Sequence, residues 1–318
     1  MTHGTTVVGL GGMGQMMLTR MAEFPGFDVR CVWDPDEAAT LLISERFPNV
    51  VVASNARDAI NFEESTVVYV ASPPDAHASL ASAAINAGKA VYCEKPLGVD
   101  LASSRELVEL ARLSGCVNIV NFSMASTAAT RAAEAWLRRE ILDQVISIEL
   151  RVHFSQWPRR WQMGASSWLA RRSQGGFTRE VVSHWVYLTE RLFGKASLED
   201  SSVRYPDGEL AEIHLQANLQ AGDRPVSVAA SIGGAGPDVV EYTLWGQEQS
   251  ARITDWHRFA VTKGNKWEVD AGTTTSPGDV NNKMQLANAA AAVAGEPHSM
   301  PDFEDALSVQ SLIEEMLH

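Results

Sequence analysis

Six residues limit what this chain can fold into more than any other stretch: Gly9-Leu10-Gly11-Gly12-Met13-Gly14, set between a β-rich run and a helical one. The run before it, Thr5-Thr6-Val7-Val8-Gly9-Leu10, is short and rich in β-branched side chains, whereas Gln15-Met16-Met17-Leu18-Thr19-Arg20-Met21 reads as helix. Glycines at this spacing permit a tight turn, a close approach of a ligand to the backbone, and close packing of helix on strand. The helix start then offers N–H groups and a positive dipole end to a pyrophosphate. A second β-rich run, Phe27 to Trp33, ends at Asp34, which is 34 − 14 = 20 residues past the last glycine. That is where a carboxylate reaches ribose hydroxyls. Strand, turn, helix, strand and acid in this order predict a dinucleotide-binding βαβ unit, with Gly9, Gly11, Gly12, Met13, Gly14 and Asp34 on the cofactor. No Arg or Lys stands in Asp34-Pro35-Asp36-Glu37 to receive a 2′-phosphate, which favours NAD, with NADP as the alternative.

The alternation continues to about residue 122. Helices are expected over Glu37 to Phe47, Asn55 to Ile60, Asp75 to Ala87 (closed by Gly88) and Leu101 to Leu113. Strands are expected over Val50 to Val52, Val67 to Val70, Ala90 to Cys93 and Val117 to Val120. Strands separated by helices predict a parallel, doubly wound sheet. Ala71-Ser72-Pro73-Pro74 and Glu94-Lys95-Pro96 fall at strand C-terminal ends, the edge where open α/β sheets bind ligands. Pro96 has no N–H and stops its strand.

Beyond residue 122 the pattern changes. Ser126 to Glu140 reads as helix and Val145 to Phe154 as an alternating strand. An irregular stretch reaches Gly176, and Thr178 to Leu188 is helical. Short strand patterns follow at Val203–Tyr205, Ala211–Leu219, Val226–Ile232, Val239–Gly246, Ala251–Thr254 and Phe259–Thr262. Short connections such as Pro206-Asp207-Gly208 predict a mainly antiparallel sheet. Two helices close the chain, Val280 to Ala294 and Phe303 to Leu317, the second with Asp302 as N-cap. The expected division is a Rossmann domain over residues 1–122 and an α+β domain over 123–318 for substrate binding and oligomerisation.

Composition narrows the function classes. A net charge of −13 argues against a nucleic-acid partner. No apolar run approaches the ~20 residues of a membrane helix, and Met1 to Thr6 carries neither the basic nor the apolar region of a secretory leader. Cys31, Cys93 and Cys116 have no CxxC spacing, so no disulfide framework and no metal site is expected, and a cytoplasmic setting fits.

Two features of the middle stretch carry chemistry. Glu180 and His184 are four apart on one helix face, where a carboxylate can orient an imidazole. An i,i+4 surface pair is the plainer alternative. Residues 151–179 hold Arg151, Arg159, Arg160, Arg171, Arg172 and Arg179 and no Asp or Glu, a local inversion in an acidic chain. Arginine forks recognise carboxylate or phosphate. Trp161 and Trp168, with Arg171, Arg172 and Arg179, are therefore the expected substrate-binding residues for a small polar substrate bearing a carboxylate. The competing reading has these arginines paired with acids elsewhere and the tryptophans in the core.

Taken together, the Gly9/Gly11/Gly14 turn, Ser72-Pro73-Pro74-Asp75-Ala76-His77, Glu94-Lys95-Pro96, and Gly175-Gly176 followed by Glu180 and His184 resemble the glucose–fructose oxidoreductase, inositol dehydrogenase and rhizopine-catabolism (Gfo/Idh/MocA) family. The resemblance is strong over residues 5 to 122, and beyond that rests mainly on residues 175 to 194. It implies a cofactor contacted also by Ser72, Pro73, His77, Glu94 and Lys95. It implies that His184 is the general acid/base, with Lys95 polarising the substrate oxygen or relaying its proton, and Glu180 assisting. It also implies a homodimer or homotetramer through the C-terminal sheet. Glu180 stands where the family carries Asp, Val182 where it carries Gly, and Asn121-Phe122-Ser123-Met124 lacks the Arg often found there. The expected function is an NAD(P)-dependent hydroxy/keto oxidoreductase. An imine reductase of the same fold and a non-catalytic NAD(P)-sensing protein are the alternatives.

Overall fold

Strand patterns and glycine turns alternate first, and the fold follows them. In the computed structural model residues 2–139, 144–273 and 277–318 are described, with backbone alone for 277–280. Met1 and the expected helix end at Glu140 lie outside the described residues. The chain forms two compact units, residues 1–122 with 282–310, and residues 123–281 with 311–318.

The first unit is a six-stranded sheet built from β1 (His3–Val8), β2 (Phe27–Trp33), β3 (Val51–Val52), β4 (Val67–Val70), β5 (Ala90–Cys93) and β6 (Asn118–Val120). Its order is β3-β2-β1-β4-β5-β6, and each pairing is parallel. Strand order reverses between β1 and β4, the switch point at which this architecture opens a crevice. Helices α1 (Gly12–Ala22), α2 (Glu37–Arg46), α3 (Ala56–Ile60), α4 (His77–Asn86) and α5 (Leu101–Ser114) connect the strands. Val67 to Val70 are all 0% exposed, as strands covered on both faces require. Local chemistry fixes the helix ends. Asp36 Oδ1 accepts from Ala38 N at 2.9 Å, Asp100 Oδ1 from Ser103 N at 2.7 Å, and Gly88 leaves α4 with φ +72°.

Residues 282–310 complete this unit. Val120 N donates to Pro301 O at 2.9 Å, Phe303 N to Asn118 Oδ1 at 2.8 Å, and Gln285 Nε2 to Asn121 Oδ1 at 3.0 Å. The sequence shows two closing helices but gives no sign of where they pack.

The second unit opens with α6 (Ala128–Leu137) and β7 (Val145–Phe154). The stretch expected to be irregular contains a 3-10 segment, Arg160–Ala165, and a single-turn helix, α7 (Ser166–Leu169). A π-turn over Thr178–Val182 leads into α8 (Ser183–Phe193). Then come β8 (Ala196–Arg204), β9 (His214–Ala221), β10 (Arg224–Ile232), β11 (Val239–Gly246), β12 (Ala251–Thr254), β13 (Arg258–Lys263) and β14 (Lys266–Val269). The chain ends with α9 (Pro277–Val293) and α10 (Phe303–Leu317), whose Asp302 Oδ1 accepts from Asp305 N at 2.9 Å, as a cap should.

The eight-stranded sheet runs β14-β13-β12-β11-β7-β10-β9-β8 and is antiparallel except for β7 against β10. Its buried face carries Ile148, Leu150 and Val152 of β7, Val226 and Val228 of β10, and Tyr242 and Leu244 of β11. Trp185 of α8 stacks on Tyr242 at 5.5 Å, seating that helix on the sheet. Most of β8 and all of β14 escaped the sequence reading. Both are edge strands of half-buried or exposed residues, held by backbone pairing to one neighbour, so apolar alternation is weak there.

Candidate active site

The glycine turn comes first. Gly9 adopts φ +98°, and a Cβ there would lie 2.5 Å from the Ala71 carbonyl. At Gly14 a Cβ would lie 1.9 Å from Gly9 O, so glycine alone lets α1 cross β1 at this distance. Gly11 and Gly12 differ: a Cβ at either meets nothing within 4 Å. Open space therefore stands at the N-terminus of α1, beside half-buried Met13. Asp34 is fixed next to it, its Oδ2 accepting from Leu10 N at 2.5 Å and its Oδ1 from Asp36 N at 2.8 Å. Two backbone donors on one carboxylate hold it in place. This arrangement fits a dinucleotide: helix N–H groups for a pyrophosphate and a fixed carboxylate for ribose hydroxyls.

The loops after β4 and β5 are joined by His77. Its ring lies 2.8 Å (Nε2) from Ser72 O and 2.7 Å (Nδ1) from Pro96 O, and it is 1% exposed. Burial lowers its pKa, against the two carbonyls, which raise it. Of the expected cofactor contacts, His77 has both ring nitrogens within hydrogen-bond distance of backbone carbonyls, while half-buried Ser72 and exposed Pro73 lie at the loop surface. The Lys95–Pro96 and Trp157–Pro158 peptide bonds are cis.

Beneath the β5 loop lies a polar network that no local motif announces. Glu94 Oε1 accepts from the Tyr69 hydroxyl and, at 2.7 Å, from Asn121 Nδ2. Asn121 Oδ1 accepts from the Tyr92 hydroxyl at 2.6 Å. Burial first, then the Glu94 carboxylate, keeps Tyr69 protonated well above the phenol range, so it serves as donor. Glu94 is 5% exposed and Lys95 9%. Glu94 is thus a buried anchor below the turn that presents Lys95.

In the second unit Gly176 has φ +101°, and a Cβ there would meet the Glu212 carboxylate at 2.3 Å. Glu212, 1% exposed, accepts from Thr178 N at 2.7 Å and caps the π-turn. Burial raises its pKa. Gly176 therefore makes room for a buried acid at the start of the helix that carries Glu180 and His184, while a Cβ at Gly175 would meet the Leu169 carbonyl at 2.2 Å. Underwound turns of this kind recur at functional positions. Glu180 Oε1 accepts from Gln162 Nε2 at 2.8 Å, and Gln162 Oε1 accepts from Arg159 Nε at 2.7 Å. His184, 7% exposed, receives at Nδ1 the Ser123 N–H at 3.2 Å, with Ser123 Oγ at 3.3 Å. Ser123, 61 residues away in the chain and announced by no local spacing, is a partner at Nδ1. Trp256 meets the imidazole edge-on at 5.5 Å.

The arginine insert distributes its charge differently from the expectation. Arg179 makes a bidentate pair with Glu314, both bonds at 2.7 Å, and its Nη1 donates to Arg172 O and Gly175 O. That guanidinium is thus held by one carboxylate and two backbone carbonyls of the chain. Arg172 stacks on Tyr205 at 3.9 Å and, with Arg179, lines a cavity of about 380 Å³ whose lining includes neither Glu180 nor His184. Arg171 is exposed and pairs by backbone with Leu210. Trp161 is 62% exposed under the Arg159 guanidinium, and Trp168 is half-buried. Among the described residues no helix is long and apolar enough to cross a membrane.

Residues 4–122 match the model of the family described as "Oxidoreductase family, NAD-binding Rossmann fold" (Gfo/Idh/MocA). The chain is 32% identical over 117 residues to inositol 2-dehydrogenase of Salmonella typhimurium, covering 36% of this chain and 35% of that protein. It is 25% identical over 210 residues to levoglucosan dehydrogenase of Pseudarthrobacter phenanthrenivorans, covering 60% of this chain and 51% of that one. The chain spans between about a third and a half of the length of the curated relatives it matches. GenD2 from gentamicin A biosynthesis, solved in complex with NAD, shares the fold at TM-score 0.82 and 21% identity, covering 98% of this chain and 92% of its own.

Proposed function

Residues 4–122 belong to the Gfo/Idh/MocA family of NAD-binding Rossmann-fold oxidoreductases, and on that premise we propose that the whole chain is an NAD-dependent oxidoreductase of a small polar hydroxy/keto substrate. The observation that carries the reading is the glycine turn. Gly9 and Gly14 have no room for a methyl group, Gly11 and Gly12 stand beside open space, and Asp34 is anchored next to them. The N–H groups at Gly11, Gly12 and Met13 would hold the pyrophosphate, and Asp34 the adenosine ribose. The anchored carboxylate repels a 2′-phosphate, which supports NAD over NADP.

The nicotinamide, when bound, supplies a hydride acceptor or donor. The chain's own residues orient the substrate and manage its proton. Lys95, buried at the end of β5 over the Glu94 network, and His184 at the start of α8 act on the substrate oxygen. Glu180, tied to Gln162, assists. Relatives named inositol 2-dehydrogenase and levoglucosan dehydrogenase support a polyhydroxylated substrate. The capture of Arg179 by Glu314 removes the strongest support for a carboxylate on it. The second sheet exposes Ile146 (54%), Trp245 (38%) and Val269 (49%), which supports its use as a homodimer or homotetramer face.

Thermal-shift titration with NAD⁺, NADH, NADP⁺ and NADPH tests the reading. Ligand at a hundredfold excess over Kd stabilises by about 2.7 kcal/mol, a readily measured rise in Tm. A rise with NAD(H) alone is expected. A rise with NADP(H) alone overturns the assignment of Asp34, and no rise with any of the four overturns the oxidoreductase reading.

A further inference from the structure

Arg159 is half-buried, and its Cζ lies among three rings: Trp161 at 4.9 Å, Phe154 at 5.0 Å and Trp157 at 5.8 Å from their centroids. Two of these rings are themselves fixed. Phe154 is 2% exposed, and Trp157 packs edge-on against Phe177 and donates through Nε1 to Leu169 O at 3.3 Å. Aromatic rings attract a guanidinium, but they supply no acceptors for the N–H bonds in its plane.

Of those bonds the one on Nε is used, donating to Gln162 Oε1 at 2.7 Å. Among the described residues Nη1 and Nη2 meet no acceptor, and no carboxylate forms an ion pair with the group. The acids whose charge it feels are engaged with other donors. Glu180 Oε1 accepts from Gln162 Nε2 at 2.8 Å, and Asp238 Oδ1 from Ser155 N at 2.9 Å. Burial lowers the Arg159 pKa, against Glu180 and Asp238, which raise it. A cation partly withdrawn from water with no anion bonded to it is costly, and a carboxylate matches the planar pair of Nη groups with two parallel bonds.

The group is also held in place. Gln162, 5% exposed, has its amide orientation fixed at both ends, because the guanidinium can only donate and the Glu180 carboxylate accepts. Arg159 is thereby tied to Glu180, one helical turn before His184.

We propose that Arg159 binds a carboxylate carried by the substrate through Nη1 and Nη2, so that the substrate class is a polyhydroxylated acid of the sugar-acid kind. This rests on the oxidoreductase reading above and names its substrate class. Arg179, bonded to Glu314, is not the arginine that carries this role.

The test is a titration of tryptophan emission in the full chain, with and without NAD⁺, since Trp157 and Trp161 flank the guanidinium. The probes are D-gluconate and D-glucuronate, with D-glucitol and D-glucose as uncharged counterparts. The expected result is a saturable change with at least one acid, at lower concentration than with its uncharged counterpart. Arg159→Gln removes charge and fork, and is expected to weaken acid binding by about tenfold to a hundredfold. Arg159→Lys keeps the charge without the fork, and is expected to fall between the two. It also serves as the readout where Arg159→Gln fails to fold. No saturable change with either acid, equal response to acids and uncharged sugars, or parent-like acid binding in a folded Arg159 variant overturns the proposal. Failure of the oxidoreductase reading shows elsewhere, as an absent Tm response to all four nucleotides, and leaves acid binding without NAD⁺ intact.

Discussion

Glycines of the first turn answer differently to the same methyl group. At Gly14 the added carbon would sit 1.9 Å from Gly9 O, and relief requires moving α1 off β1. Gly14→Ala is therefore expected to cost about 3 kcal/mol, as overpacked cores do, read as a lower urea midpoint. Gly11→Ala meets nothing within 4 Å and should leave stability within about 0.5 kcal/mol. It should still weaken the Tm response to NAD⁺, because the methyl group occupies the open space. Equal stability losses in the two variants would contradict this division. Arg179 is the other informative residue. Its side chain and that of Glu314 are each 10% exposed. Removing one member of such a buried pair strands the other charge, at about 3–5 kcal/mol. Arg179→Met should therefore lower the urea midpoint sharply. A variant of unchanged stability but weakened substrate affinity would restore Arg179 to the substrate.

At the scale of elements, the candidate catalytic side chains Lys95, Glu180 and His184 stand on segments held by buried polar groups distant in sequence. Glu94 bonds Tyr69 and Asn121 under the β5 loop, and Glu212 caps the π-turn at Thr178. His77 ties the loop after β4 to the one after β5. Its folded-state pKa is depressed by burial, so the unfolded chain binds more protons below about pH 6.5. The contribution of neutral His77 is thus complete above that pH and declines as pH falls toward the lowered folded value. His77→Gln removes both the bridge and its titration. The variant should be less stable than the parent at pH 7.5, and the gap should narrow as pH falls to 5.5, measured as paired Tm values. A gap that widens on acidification would mean the ring is held as imidazolium between its two carbonyls.

For the whole molecule, the first unit is not made from one continuous piece of chain. Val120, Asn118 and Asn121 at its β6 edge bond Pro301, Phe303 and Gln285. A fragment of residues 1–122 leaves these backbone groups and apolar surface to water. It is expected to lose the cooperative thermal transition shown by the full chain and its Tm response to NAD⁺. A fragment that melts cooperatively and responds to NAD⁺ would show that residues 282–310 are dispensable.

The sequence by itself determined the first sheet nearly strand for strand, the Gly9–Gly14 turn with Asp34, the β7 strand over Val145–Phe154, and the last helix with its Asp302 cap. Each is written in a few consecutive residues: apolar periodicity, a glycine where a side chain has no room, a cap three residues from its amide. The tertiary structure alone decided the place of β7 between β10 and β11, the return of residues 282–310 to the first unit, the capture of Arg179 by Glu314, and the approach of Ser123 and Trp256 to His184. These partners lie tens of residues apart in the chain or more, beyond the reach of any local pattern. Which of them meet depends on how large surfaces are buried together, and one carboxylate or hydroxyl looks like another until burial leaves it a single partner.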